Sequence, residues 1–246
     1  MRPAVIIPTY NESDNLTALV SALRSNVPDL AIIVVDDNSP DGTGALADRL
    51  AQADPRVHPI HRPSKLGLGT AHRDGIRWAL SHSLEPILTM DADFSHSPRY
   101  VPDILQALMN QDVVIGSRYV RGGGTLYCGV IRVIFSRIAN TFARLVLGLK
   151  ASDCTAGFRG YRRAVLESID LDAIVSDGYS FLIEMIYQCQ RRGWRIGEIP
   201  IIFEDRRRGK SKVSRQEILK ALATVVRLRF SLGRLKTVTV RQRTAH

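Results

Sequence analysis

The sequence predicts an α/β fold, a mainly parallel sheet with helices on both faces, followed by C-terminal amphipathic helices. Three observations carry this. Short apolar, β-branched runs such as Ala31–Val35 lack polar alternation, as strands covered on both faces do. Between them lie stretches of about 10–15 residues with apolar positions at helical spacing, the pattern of βαβ units. Several strand candidates end in clusters of Asp, Asn, Ser, Pro and Gly, the residues that turn a chain from strand to helix.

Taken in order, Ala4–Ile7 reads as the first strand. Glu12–Ser25 follows as a helix with Leu16, Leu19, Val20 and Leu23 on one face. Ala31–Val35 is the second strand; the turn Asp36–Gly42 ends it, and Ser39, Asp41 or Thr43 is placed to cap the helix Gly44–Ala53. Val57–His61 is the third strand, and Leu66–Gly69 leads into a helix over Thr70–Ser81. Pro86–Met90 is the fourth strand, ended by Asp91; a helix over Arg99–Met109 leads to the fifth, Asp112–Gly116. The second half is less regular. Val130–Leu149 reads as an amphipathic helix carrying Arg132, Arg137 and Arg144 as a basic stripe. Ser180–Gln190 is a helix, Ile196–Phe203 a strand, Arg206–Lys212 a basic loop and Glu217–Leu232 a second basic amphipathic helix. The last ten residues read as disordered. No internal repeat, low-complexity tract or linker divides the chain.

Composition narrows the classes. The 246 residues are 45% hydrophobic and 24% charged, an ordinary globular balance. A chain of this length buries about 70–75% of its unfolded surface and needs no disulfide or metal staple. The three cysteines, Cys128, Cys154 and Cys189, form no CxxC pair, which suits a reducing compartment. The apolar start is too short for a signal peptide, and no run approaches the ~20 apolar residues of a membrane span. The net charge of +10 sits wholly in residues 201–246, which hold 13 Lys/Arg against 3 Asp/Glu. A basic tail on a neutral body attracts an anionic partner: nucleic acid, an acidic membrane surface or a phosphorylated substrate.

In a parallel α/β sheet, ligands bind outside the carboxyl ends of the strands. Three polar clusters fall there: Pro8–Glu12, Asp36–Asp41 and Asp91-Ala92-Asp93. Converging carboxylates repel one another and ask for a cation. Hard oxygen ligands at this spacing suit Mg²⁺ or Mn²⁺ holding a diphosphate. A single Asp after a strand is more often a turn former, but three clusters at three strand ends favour a site. No GxxxxGK[ST] loop, no GxGxxG after the first strand, no HExxH, no Cys/His metal spacing and no GxSxG elbow is present. The six histidines are scattered, with His96, just after the DxD, read as a surface or structural residue.

These motifs carry a resemblance. IPTYNE (Ile7–Glu12) and VVDDNSPDGT (Val34–Thr43) resemble family 2 glycosyltransferases of the GT-A, Rossmann-like fold. KLGLGTA (Lys65–Ala71), MDADFSH (Met90–His96), GSRYVRGG (Gly116–Gly123), SDCTAGFR (Ser152–Arg159), GYSFLIEM (Gly178–Met185) and GEIPIIFEDRRRGKSK (Gly197–Lys212), in this order, narrow the resemblance to dolichol- or polyprenyl-phosphate mannose synthases. It runs from about Ala4 to Lys212, so the transferase domain is expected over residues 1–212 and a basic, membrane-surface segment over 213–246. Tyr127 stands where the family usually has Trp, and the C-terminal transmembrane helices of many bacterial relatives have no counterpart here.

The resemblance implies an inverting transfer of mannose from GDP-mannose to a polyprenyl (dolichyl-type) monophosphate, with a UDP-sugar as the alternative donor. By position, Pro8, Tyr10 and Glu12 line the nucleoside pocket and Asp37 accepts a hydrogen bond from the base. Asp91 and Asp93 bring Mg²⁺ or Mn²⁺ to the diphosphate, and Ser95 sits where some relatives place a third, neutral ligand. Arg118, Arg132, Ser136, Arg137, Arg206 and Lys212 match positions that receive the lipid phosphate, Arg118 with a catalytic part. A phosphate monoester, with a second pKa near ~6, is already an oxyanion at neutral pH, so no dedicated base is expected. The implied location is peripheral, on the cytoplasmic face of a membrane, with a separate anchoring subunit as a further partner. Nucleic acid is not an expected partner: acidic strand ends repel a polyanion, and aromatics make up only 7% of the chain.

Overall fold

The structure, a computed structural model, describes residues 2–174, 176–205 and 215–230. The strands are β1 (Ala4–Thr9), β2 (Ala31–Asp36), β3 (Val57–His61), β4 (Ile87–Thr89), β5 (Val113–Ser117), β6 (Gly124–Leu126), β7 (Arg159–Tyr161), β8 (Ile196–Pro200) and β9 (Ile202–Glu204). The helices are α1 (Ser13–Asn26), α2 (Thr43–Ala53), α3 (Leu68–Ser81), α4 (Val101–Ala107), α5 (Val130–Leu147), α6 (Arg163–Glu167), α7 (Tyr179–Arg191) and α8 (Arg215–Phe230). A single 3-10 turn, Pro98–Tyr100, precedes α4.

Seven strands form one sheet in the order β3-β2-β1-β4-β7-β5-β8. All neighbours run parallel except β7, which lies antiparallel between β4 and β5. Because side chains alternate along a strand, the apolar runs feed two cores. Val5, Ile7, Ile32 and Val34 face α1, α2 and α4; Ala4, Ile6, Ile33 and Val35 face α3, α5, α7 and α8. Each buried Val or Ile among these contributes about 1.5–3 kcal/mol of transfer free energy. Helix α3 lies so close to β1 that a Cβ on Gly75 would stand 2.5 Å from Ile6 Cγ2. Helix α8 belongs to the second core through Val225 and Leu228.

The first five strands and their helices match the expected elements to within a few residues. The main differences lie in the second half, where β6 and α6 are also not expected from the sequence. The expected strand over residues 196–203 is two strands. Pro200 offers no N–H to the ladder, Ile201 N makes the last bond to Ser117 O (3.0 Å), and Ile201 O accepts from Gly124 N (3.0 Å), handing the chain to β6. Strand β7, in the middle of the sheet, has only three residues inside SDCTAGFRGY and no recognisable strand pattern. The helix expected to reach Leu149 stops at Leu147, because Gly148 adopts φ 64°, a left-handed end that glycine tolerates. The basic loop, Arg206 and Lys212 included, and the last ten residues lie outside the described residues.

Candidate active site

Strand order places three polar clusters on one rim. β1 lies between β2 and β4, all parallel, so their carboxyl ends are adjacent. Asp37 N bonds Thr9 O (3.1 Å) and Met90 N bonds Ile6 O (3.1 Å), which fixes IPTYNE between DDNSPDGT and DAD. Not every carboxylate there is available for a ligand. Asp36 accepts from the Thr9 hydroxyl (2.9 Å), Ser39 N (3.0 Å) and the Ser39 hydroxyl (2.6 Å). Asp41 accepts from Thr43 N, the Thr43 hydroxyl and Ser13 N, and so ties the start of α1 to that of α2. Burial alone would raise its pKa; those hydrogen bonds from Thr43 and Ser13 bring it below the ordinary value. None of the three expected capping residues is the N-cap of α2, which is Gly42 in a left-handed conformation without a side-chain cap; Asp41 instead holds the Thr43 N–H from just outside the helix, and Ser39 holds Asp36.

Asp37 is buried and doubly held, by the Arg62 guanidinium and by Gly67 N (3.0 Å). Arg62 also reaches Gly67 O (3.2 Å), so the KLGLGTA loop is fastened to the second strand's end. The same loop sets Lys65 Nζ 4.0 Å above the Tyr10 ring, a cation–π contact between the third and first strand ends. On its far side Gly69 N donates to Asp177 (2.7 Å), ahead of α7. Pro8 and Glu12 are partly buried beside Tyr10, and Glu12 N donates to the Thr43 hydroxyl (2.9 Å).

After β4, Asp93 is buried while the Asp91 side chain is about a third exposed, at 35%. Asp93 accepts from Ser95 N (3.0 Å), which curls the loop under the two carboxylates. Asp91 N donates to His96 Nδ1 (3.2 Å). The same nitrogen lies 3.7 Å from Asp91 Oδ2, so the ring stands against the base of the DxD loop. His96 is buried, stacked on Phe158 with centroids 5.3 Å apart and edge-on to Phe203 at 5.5 Å. A divalent cation fits this loop. Asp91 and Asp93 are hard oxygen donors two residues apart, and two residues further on Ser95 Oγ is a buried hydroxyl with no protein hydrogen-bond partner. Among the described residues no group of three or more His, Cys, Asp or Glu is arranged around one point. Mg²⁺-type sites commonly use one or two carboxylates and complete the shell with substrate phosphates.

Arg118 follows β5 on the same sheet edge. Its guanidinium makes a two-pronged pair with Asp153: Nε to Oδ2 and Nη2 to Oδ1, both 2.7 Å. Nη2 also reaches the Thr155 hydroxyl (2.9 Å). The head lies over Phe203 (5.4 Å) and Tyr119 (5.1 Å), so Phe203 bridges Arg118 to His96 and the DxD loop. Tyr119 OH donates to Ser136 Oγ (2.8 Å), and Arg137 lies 5.8 Å from the Tyr119 ring. Arg118, Ser136 and Arg137 therefore gather around one tyrosine. Arg132 lies on α5, but its side chain is outside the described residues, as are Arg206 and Lys212.

Sequence reasoning missed several residues that build this edge. Arg62, Lys65, Asp153, Asn140 and Glu198 are the main ones. Asp153 lay inside the quoted SDCTAGFR motif, so the signal was present without a role attached. Asn140 accepts from Cys154 N (2.9 Å) and donates to the Thr155 hydroxyl (2.9 Å), docking α5 on that loop. Glu198 accepts from Ser152 N (2.7 Å) and Asp153 N (3.1 Å). Burial pushes the Cys154 and Cys189 thiols up to about 12, so neither is a nucleophile.

Known proteins resemble this chain over most of its length. The Glycosyl transferase family 2 model matches residues 4–170. A polyprenol monophosphomannose synthase of Mycolicibacterium smegmatis is 47% identical over 226 residues, 91% of this chain and 85% of that protein. An undecaprenyl-phosphate mannosyltransferase of Micrococcus luteus is 45% identical over 227 residues, 92% of this chain and 93% of the relative. Among solved structures, glucosyl-3-phosphoglycerate synthase from Mycobacterium tuberculosis in complex with Mn²⁺, UDP-glucose and phosphoglyceric acid superposes with a TM-score of 0.65 at 20% identity, covering 91% of this chain and 79% of that one. S. aureus TarS 1–349 in complex with UDP-GlcNAc gives 0.62 at 17% identity, covering 96% and 68%. At such identities these structures establish the shared GT-A architecture.

Proposed function

We infer, from the premise that this chain belongs to glycosyl transferase family 2, that it transfers mannose to a polyprenyl monophosphate, with GDP-mannose as donor. The observation that carries the reading is the joint presence, on one sheet edge, of a DxD loop and an arginine–tyrosine wall linked through His96 and Phe203. Identity of 45–47% to two mannosyltransferases acting on lipid phosphates supports it over most of the chain.

On this reading Tyr10, Lys65 and Asp37 receive the nucleoside, with Pro8 and Glu12 as walls. Asp37 adds the base to a carboxylate that Arg62 and Gly67 already orient. Asp91, Asp93 and Ser95 Oγ would hold Mg²⁺ or Mn²⁺. When bound, the ion neutralises charge that grows on the departing nucleoside diphosphate. Arg118, Ser136 and Arg137 receive the acceptor phosphate, with Arg132, Arg206 and Lys212 as further contacts from the sequence motif. The acceptor oxygen is already an anion near neutral pH, so these side chains supply orientation and charge rather than proton removal. In-line approach opposite the leaving group gives inversion at the anomeric carbon.

The lipid acceptor also calls for a membrane surface. No described helix is long and apolar enough to cross a bilayer. Helix α5 instead exposes Val130, Ile134, Ile138 and Leu145 in one stripe, flanked by the exposed Arg137 and Arg144. An apolar stripe edged with arginine suits the headgroup layer of an anionic, cytoplasmic leaflet. An anchoring subunit in the membrane is compatible with the same placement.

The experiment is transfer of labelled sugar from GDP-mannose or UDP-glucose, in parallel, to one polyprenyl phosphate, read as label in an organic extract. Label is expected from GDP-mannose, dependent on a divalent ion. Label only from UDP-glucose would overturn the donor, and no lipid label from either would overturn the reaction.

A further inference from the structure

Arg118 is held more tightly than a surface arginine, and its holder is unusual. Asp153 is fully buried and takes two parallel hydrogen bonds from the guanidinium and a third from Arg118 N (3.1 Å). The carboxylate is itself pinned. Its own N–H goes to Glu198 on β8 (3.1 Å), and the Thr155 hydroxyl lies 3.3 Å from Oδ1. The next residue, Cys154, is fixed through N–H to Asn140 on α5 and through its carbonyl to Arg159 Nη2 (2.8 Å). Arg159, also buried, carries on to Leu182 O on α7 (2.6 Å). Loop 152–155 is thus tied to β8, α5 and α7 at once, and Arg118 is tied to the loop.

We propose that Asp153 is a positioning residue, which sets the plane of the Arg118 guanidinium in which the acceptor phosphate is received. A two-pronged pair fixes both direction and rotation of a guanidinium, which a single bond does not. Burial alone would push the Asp153 carboxyl up, but the Arg118 charge, its hydrogen bonds and Arg159 hold it below the ordinary value, so it stays an anion. The pair therefore presents the phosphate with an oriented, largely compensated cation. Asp153 should act on the reaction step and little on phosphate affinity. Misplacing a reacting group by about 1 Å costs on the order of 100-fold.

This rests on Arg118 facing the acceptor, and the experiment separates the two claims. In the full chain, Asp153→Asn is expected to lower kcat about 100-fold. KM for polyprenyl phosphate should stay level or fall, because the positive charge is uncovered, and calorimetric GDP-mannose binding should be unchanged. Arg118→Lys should lose a similar factor, and the double variant should be no worse than either alone. Normal kcat in Arg118→Lys overturns the acceptor role of Arg118. An impaired Arg118→Lys beside a normal Asp153→Asn overturns the positioning role alone. A raised KM with weakened donor binding in Asp153→Asn marks a structural role and also overturns it. If Asp153→Asn does not fold, Thr155→Val, which removes the hydroxyl shared by Arg118 Nη2, Asp153 Oδ1 and Asn140, decides: about a fivefold lower kcat at unchanged KM supports the proposal, and unchanged kcat overturns it.

Discussion

Residues 4–100 and residues 117–205 bring polar side chains to the same sheet edge by different means. In the first region the strands do the placing. β1, β2 and β4 run parallel and adjacent, and their loops begin where the ladders end. The carboxylates that stabilise this rim, Asp36 and Asp41, bond mainly to N–H and hydroxyl groups of the turns themselves. In the second region the strands are short and partly antiparallel, and a chain of charged side chains, with Asp153 and Arg159 fully buried, does the placing that Arg62–Asp37 does only once in the first. Arg118–Asp153, Arg159 and Glu198 connect segments far apart in the chain. Helix α8 is fastened in the same manner, through Arg227 to the buried Glu184 (3.2 Å). A local rim tolerates change around it; a network of distant charge partners is sensitive to each member.

The sharpest test of this contrast is in the first region. Asp93→Ala is expected to lower turnover about 1000-fold or more, since charge neutralisation at the diphosphate is worth several kcal/mol. Its unfolding curve should match the parent's, because the loop is local; a large drop in stability would show that the rim is not self-supporting. Steady-state kinetics and urea unfolding measure both.

An intermediate effect belongs to the junction. His72 on α3 stacks on Phe181 of α7 (5.6 Å), is fully buried, and has no protein partner for either ring nitrogen. Burial, then the Arg159 charge, depress its pKa to about 3. The unfolded chain takes up the proton near pH ~6.5 while the folded one does not, so this residue makes stability fall as pH drops below that point, by roughly 1.4 kcal/mol per unit until the folded pKa is reached. His72→Leu is expected to flatten that part of the profile, gaining about 2 kcal/mol on the parent between pH 7 and pH 5. Equal slopes for the two proteins in urea unfolding would refute it.

The smallest expected effect lies on the exposed stripe of α5. Arg144→Ser should weaken binding to anionic vesicles by about 1 kcal/mol, roughly fivefold, and leave binding to neutral vesicles unchanged. Flotation at low salt reads the difference; equal losses on both vesicle types would remove the electrostatic part of the surface reading.

The same contrast explains what the sequence made legible. Strands β1 to β5 follow from apolar runs and turn clusters, and Asp91, Asp93, Tyr10 and Asp37 follow from their places after them. The second region obeys long-range pairing, which has no period. Nothing local in SDCTAGFR says that Asp153 meets Arg118, or that three residues from Arg159 form a central strand. Likewise Arg62 sits just past β3 like many surface arginines, and only the fold turns it onto Asp37. Pro200 and Gly148 are stops with apolar residues on both sides, which hides them from a reading by apolar runs.

Strand β7 has a consequence for substrate size. By lying between β4 and β5 it holds the two loops apart by two strand spacings, about 10 Å. Hydrogen-bonded strands do not slide sideways, so this gap is a built-in ruler. On the proposed reading, one hexose with a phosphoryl group on either side spans it. The distance between donor loop and acceptor loop is then set by backbone ladders, before any side chain is chosen.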